Sequence, residues 1–283
     1  MSVAMEHSNL HFSLKEVSSN SNPTVAFALK VRNKTKFARQ EELFFVEGQR
    51  ECRRAIDCGL LVKYFFICDD LMSSHEQDTW SQQLNQIKGV QVLKVSSKVY
   101  EHIALRGDSQ GIVGLFSRKI LKNLPLKPKK LIALYNIEKP GNLGAIARTA
   151  DGLGIDGIIL VDSNMNELHH NAVRSSIGAL FSIPLVHMSS NEFVDYCNEK
   201  SLQILIASGD ASQELSNVDL GGNNVVLLGS EAFGVDGFEK SIENSDIKNL
   251  KRYKIPMNGI GDSYNVSVAA AISMYELVRK KNV

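Results

Sequence analysis

The sequence predicts an α/β protein in two domains: a small α/β unit over residues 25–118, and a larger unit over residues 131–283 built on a parallel sheet. Three observations carry this expectation. Beyond residue 130, short apolar runs alternate with helical patterns, the order that gives parallel strands covered on both faces by crossover helices. Ahead of it, four apolar runs accompany a helical pattern in a shorter set of the same kind. Between the two, "LKNLPLKPKK" (residues 121–130) holds two prolines and four lysines, so a short stiff linker is placed at residues 119–130. At 283 residues the chain is long enough for two such cores.

Residues 1–24 are rich in Ser and Asn and lack the basic-then-apolar order of a secretory signal, so they are expected to form a flexible leader. "KVRNKTKFARQ" then sets Lys30, Arg32, Lys34, Lys36 and Arg39 in a stretch without an acid. Such a basic arm suits phosphate contact, but taken alone it reads as a solvated face. "LFFVEG" follows as a buried strand, "QRECRRAIDCGL" as a helix stopped by Gly59, and "LVKYFFICDD", "VQVLKVSS" and "SQGIVGLF" as strands.

Past the linker, strands are expected at "LIALYNI", "GIILVD", "IPLVHM", "LQILIASG" and "VVLLGSE", and helices at "GAIARTADGLG", "AVRSSIGAL" and "NEFVDYCNEK". Leu143, Ile146, Ala147, Ala150 and Leu153 follow the spacing of one packing stripe, with Arg148 at its edge. "GLGIDG" (Gly152–Gly157) matches the dinucleotide pattern G-x-G-x-x-G, but a helix ends into it and a strand follows. That order is the reverse of what a pyrophosphate site needs, and Gly154 reads instead as a helix C-cap. There is no Walker A sequence and no metal-spaced His or Cys cluster; His169 and His170 are adjacent and expected to point apart. Cys52, Cys58, Cys68 and Cys197 read as reduced thiols of a cytoplasmic protein. The formal charge of +1 makes no global demand for nucleic acid, and no apolar run is long enough to cross a membrane.

Three stretches remain: "NIEKPGNLGAIARTA" (136–150), "LLGSEAFGVD" (227–236) and "IPMNGIGDSYNVSVAAAI" (255–272), the last beginning like a short strand. Each sets small or amide residues just beyond a strand's carboxyl end, where open parallel sheets bind ligands. In this order they resemble the three motifs of the SpoU (TrmH-like) branch of the SPOUT RNA methyltransferases. The resemblance covers residues 130–280, and the first domain more weakly resembles that family's L30e-like substrate-binding module, which implies RNA contact through Lys30, Arg32, Lys34, Lys36 and Arg39 ahead of a merely solvated face.

The resemblance implies a sheet ending in a deep trefoil knot, an exception to the rule against threaded connections, with S-adenosylmethionine bound in it. It implies cofactor contacts at Ser208, Gly209, Leu228, Gly229, Ile255, Met257, Tyr264, Asn265 and Ser267, several through the backbone. The loop from Asn258 to Tyr264 would curl round the cofactor, with Gly259 and Gly261 allowing the bend, and Asn265 and Ser267 would cap the last helix. The chemistry implied is methyl transfer to a ribose 2′-hydroxyl, with Arg148 as the catalytic arginine and Asn142, Glu231, Ser263 and Asn265 orienting it and the nucleotide. A guanidinium does not deprotonate in a protein, so Arg148 is expected to grip a phosphate and stabilise the incipient alkoxide, the proton passing to that phosphate or to water.

Two positions depart from the family pattern: Tyr264 stands where Leu is usual, and Glu138-Lys139 where many relatives have Arg-Asp. Ribosomal RNA of the 23S type is the expected substrate, ahead of transfer RNA, because a separate first domain is present; a non-catalytic RNA-binding knotted protein is the rival. No metal is implied. A homodimer is expected through "VSVAAAISMYELV", which is apolar almost all round until Tyr275.

Overall fold

Two sheets, one mixed and one wholly parallel, organise the chain, each within its own unit: Met1–Ile120 and Leu121–Val283. The computed structural model describes residues 13–105, 110–118, 123–230, 234–243 and 245–279.

The first unit runs β1 (Ser13–Val17), α1 (Pro23–Asn33), α2 (Thr35–Gln40), β2 (Leu43–Glu47), α3 (Gln49–Asp57), β3 (Val62–Ile67), α4 (Ser74–Asn85), β4 (Gln91–Val95), α5 (Ser97–Ile103) and β5 (Ile112–Ser117). Its strand order is β1-β4-β3-β5-β2, parallel from β1 to β3 and antiparallel on either side of β5. Two expectations change here. The leader is not loose throughout: Ser13–Val17 pairs with β4 as an edge strand, while residues 1–12 lie outside the described residues. The basic stretch is no extended arm either. Its residues sit in α1 and α2, because Asn22 caps the Thr24 amide at 2.8 Å, Pro23 opens the helix, and Val25, Ala28 and Val31 bury one face.

The second unit runs β6 (Lys130–Tyr135), α6 (Pro140–Gly152), β7 (Gly157–Val161), α7 (His170–Ser175), β8 (Leu185–Met188), α8 (Ser190–Glu199), β9 (Gln203–Ala207), β10 (Asn224–Leu228), α9 (Asp236–Ser241), β11 (Leu250–Tyr253) and α10 (Val266–Arg279). All six strands are parallel, in the order β11-β9-β10-β6-β7-β8. Strand side chains alternate between two cores. Ile132, Leu134, Ile158, Leu160, Val226 and Leu228 join the core under α6 and α10. Leu131, Ala133, Ile159, Val161, Val225 and Leu227 join the other, with Phe193 of α8 and Phe238 of α9.

Helix α6 seats itself by the stripe read from its spacing: Leu143, Ile146, Ala147 and Ala150 are fully buried, and Leu153 packs at the margin. Gly154 does end it, with φ +64°; its N–H donates to the Asp151 carbonyl at 3.2 Å and the Ile155 N–H to that of Ala150 at 2.9 Å, a Schellman closure. Gly144 lets α6 lie against α7, since a Cβ there would strike Ser175 and the Ala172 carbonyl. The helix expected through "AVRSSIGAL" is interrupted: α7 stops at Ser175, Gly178 takes φ +86°, and Ala179–Phe181 form a separate 3₁₀ turn. The strand expected from Ile255 lies upstream, as β11, whose Tyr253 is fully buried with its hydroxyl 2.6 Å from Ser273 of α10. Helix α10 divides its apolar residues: Val266, Ala270, Met274 and Leu277 fill this unit's own core, while Val268 and Tyr275 are exposed.

All four cysteines are free; Cys52, Cys68 and Cys197 are buried, and burial pushes the Cys197 thiol up to about 12. No helix among the described residues is long and apolar enough to cross a membrane.

Candidate active site

A cavity of about 590 Å³ opens at the carboxyl ends of β9, β10 and β11. Ala207, Ser208 and Gly209 enter it from the end of β9, Leu228, Gly229 and Ser230 from the end of β10, and Ile255, Pro256 and Met257 from the segment after β11. Gly261, Ser263, Tyr264 and the first turns of α10, Val266 and Ala269, complete the wall. Gly229 admits no side chain, since a Cβ would run into the Gly234 carbonyl; Gly234, at φ +58°, forms a bridge with Ser230. The Ser208 N–H donates to the Tyr253 carbonyl at 2.9 Å, and its hydroxyl bonds Asp210, holding that carboxyl below its usual range. Gly259 and Gly261 do not bear out the bend argued for them. Neither has positive φ, and a Cβ would meet nothing at Gly259 and only Met257 Cε, at 3.5 Å, at Gly261.

Asn265 joins this wall to α6. Its Oδ1 accepts from the Ser267 N–H at 2.9 Å and the Ser267 hydroxyl at 2.6 Å, and its Nδ2 donates to Asn142 Oδ1 at 3.3 Å. Asn265 alone is therefore the cap of α10, and Ser267 is a donor inside the helix. Asn142 is no cap in its turn, because Lys139 holds that position in α6. Ser263 lines the cavity, whereas Arg148 does not. Six residues beyond Asn142, Arg148 lies about 9 Å further along α6 and on another face; it is exposed. Glu231 lies outside the described residues.

The arrangement offers backbone groups and apolar walls for a flat heterocycle, and the carboxylates of Glu214, Asp236 and Asp262 for hydroxyls or positive charge. Residues 129–275 match the model of the SpoU rRNA methylase family, more than half of the chain. The chain belongs to the SpoU rRNA methylase family.

Residues 22–114 match the MRM3-like substrate binding domain. Among curated relatives, the chain is 26% identical over 267 residues to the 23S rRNA (guanosine(2553)-2'-O)-methyltransferase RlmP of Bacillus subtilis, covering 93% of this chain and 99% of that one. It is 29% identical over 222 residues to the 23S rRNA (guanosine-2'-O-)-methyltransferase RlmB of Shewanella oneidensis, covering 75% of this chain and 88% of that one. The AdoMet-bound rRNA methyltransferase of Sinorhizobium meliloti superposes with a TM-score of 0.81 at 27% identity, over 94% of this chain and 98% of that one.

Within this SpoU chain the structure brings most of the residues read from the motifs to one place. Ser208, Gly209, Leu228, Gly229, Ile255, Met257, Ser263 and Tyr264 line the cavity, and the Asn142–Asn265 pair adjoins it. The lining carboxylates were not singled out from the sequence. Asp236 and Asp262 lie inside two of the quoted motifs and were within reach; Glu214, between β9 and β10, sits in none.

The basic residues separate. Lys34, Lys36 and Arg39 are exposed, and Lys30 lies over the Phe37 ring at 5.9 Å. Arg32 turns inward: its Nη1 donates to the carbonyls of His102, Ile103 and Ala104 at 3.3, 2.6 and 2.9 Å, closing the end of α5, and its Nε donates to Asn33 Oδ1. His169 and His170 depart from expectation as well. Their rings stack with centroids 4.0 Å apart, because His169 sits ahead of α7 as its cap, taking the Asn171 N–H on Nδ1. Among the described residues no cluster of His, Cys, Asp and Glu could hold a metal ion.

Proposed function

We propose that the protein is an S-adenosylmethionine-dependent RNA methyltransferase that methylates a ribose 2′-hydroxyl of ribosomal RNA, of the 23S type. The observation that carries this is the cavity itself, lined from two of the three family motifs and joined to the third through the Asn142–Asn265 bond. The residues fit the cofactor. Gly209 and Gly229 present backbone, Leu228, Ile255 and Met257 are apolar, and Glu214, Asp236 and Asp262 supply acceptors for a diol, an ammonium or a sulfonium. Bound there, S-adenosylmethionine supplies a methyl already activated on sulfur.

The chain's own residues then have positioning and charge to supply. Asn265, fixed by its cap bond, orients Asn142 at the start of α6. Arg148, about 9 Å further along that helix, holds a phosphate of the RNA strand and steadies the negative charge that develops on the attacking oxygen. Its guanidinium stays charged, so the proton passes to that phosphate or to water.

Similarity to two proteins named as 23S rRNA methyltransferases, over 93% and 75% of this chain, supports ribosomal over transfer RNA. The first unit serves as the L30e-like RNA-binding domain of residues 25–118, with a linker at 119–130 and the methyltransferase domain at 131–283. The C-terminal knot finds support in the path of the chain, which leaves edge strand β11, passes the cavity, and returns as α10 to pack on α6, β10 and β6. Val268 and Tyr275, exposed on α10, favour a homodimer through that face. The free thiols suit a reducing cytoplasm.

Isothermal titration with S-adenosylmethionine is the first test: saturable heat is expected, and its absence leaves only an RNA-binding protein. Mapping of 2′-O-methyl groups in ribosomal and transfer RNA from cells with and without the gene is the second, with one ribosomal position expected to disappear.

A further inference from the structure

Residues 255–264 make the outer wall of the cavity, and little holds them. On one side Lys254 is anchored, its N–H donating to the Gln213 carbonyl and its carbonyl accepting from the Leu215 N–H, both at 2.9 Å. On the other, Asn265 is fixed as the cap of α10. Between these anchors no backbone hydrogen bond among the described residues involves residues 255–264. One side-chain bond closes the span: the Tyr264 hydroxyl donates to the Pro256 carbonyl at 3.0 Å. Its partner lies eight residues back, so the bond folds the segment into a ring around Met257, Gly261 and Ser263, which line the cavity. A Leu side chain at this position would have no such donor.

We propose that the Tyr264 hydroxyl is a clasp that holds this wall in its binding geometry and thereby lengthens the residence of S-adenosylmethionine. The inference rests on the methyltransferase reading of the cavity. An untied ten-residue segment samples many conformations, and a ligand held beneath it escapes whenever the wall leaves the closed one. A neutral hydrogen bond restricts such an ensemble by a factor of about 2 to 10. A wall that opens more often acts mainly on release rather than association. Tyr264 itself is 36% exposed and belongs to neither core, so losing its hydroxyl leaves the fold's stability alone.

The test compares the full wild-type chain with Tyr264→Phe and Tyr264→Leu. Measured are the rates of S-adenosylmethionine association and release, the melting temperature, and amide hydrogen exchange across residues 257–263 in the free protein. Both variants are expected to release the cofactor about 2- to 10-fold faster, with association and melting unchanged and those amides exchanging faster. Wild-type release and exchange in Tyr264→Phe overturns the clasp, and so does a defect confined to Tyr264→Leu, which would assign the effect to the ring. Wild-type protein that binds no S-adenosylmethionine overturns the methyltransferase reading and the cofactor half of this proposal, and the exchange comparison then judges the ordering of the loop by itself.

Discussion

Arg32, near the end of α1, turns its guanidinium into the carbonyls that close α5, whereas Arg148, in the middle of α6, is exposed and has no ion-pair or hydrogen-bond partner among the described residues. In the sequence both are arginines on short helical stretches. In the structure one is part of the scaffold of the first unit and the other is presented to whatever the second unit binds. The difference teaches that a run of positive charge does not by itself mark a contact surface. What marks it is which cations the fold has already used, and Arg32 is one of those.

Four measurements bear on this contrast. The largest effect is expected for Arg148→Ala, which should lower methyl transfer by about 10²- to 10³-fold, the loss typical of one charge-stabilising group in a transition state. Its unfolding midpoint in urea should match wild type, because the stripe that seats α6 does not include Arg148. Near wild-type transfer to RNA would remove Arg148 from the chemistry. Arg32→Ala should do the reverse. It orphans three carbonyls at the end of α5 and is expected to cost about 2–3 kcal/mol of stability, read as a lower denaturation midpoint of the first unit, with S-adenosylmethionine affinity intact. A full-stability variant with weakened RNA binding would return Arg32 to the contact surface.

Smaller still is the joint change of Lys34, Lys36 and Arg39 to Gln. It should flatten the dependence of RNA affinity on salt by about 2 in log–log slope, leaving cofactor affinity unchanged; an unaltered slope makes these residues a solvated face. The smallest effect is expected beside the site itself. Tyr253 is buried, which pushes its phenol up, and its hydroxyl meets Ser273, whose own hydroxyl also donates to the Ala269 carbonyl at 2.8 Å. Because Ser273 keeps a partner, Tyr253→Phe should cost only about 1 kcal/mol. A loss of several kcal/mol in chemical denaturation would show that the bond pins β11 to α10 far more firmly.

The strands legible in the sequence are the apolar ones, in the middle of the sheets and at the edges β2 and β8 alike. β6, β7 and β10 are flanked on both sides, face a core on each surface, and read as near-continuous apolar runs. The strands that escaped are the other two edges. β1 ("SLKEV") and β11 ("LKRY") have one neighbour each, mix charged with apolar residues as edge strands do, and give no such run. Helices α1 and α2 were hidden for a related reason, since burial of a few small apolar side chains left the charges to dominate the pattern. At the site, the motifs placed the cavity-lining backbone correctly because glycines and strand ends are local features. Glu214 and the Tyr264–Pro256 bond are products of tertiary closure and leave no local mark.

The hydrogen bond between Asn142 and Asn265 spans 123 residues of chain. Everything between them, five strands and the helices that cover them, must be made before those two amides can meet. The pair thus reports on completion of the second unit: a nascent chain on the ribosome has the α6 half long before it has the other. A chain arrested between the two asparagines therefore cannot close this bond, even where its sheet has begun to form.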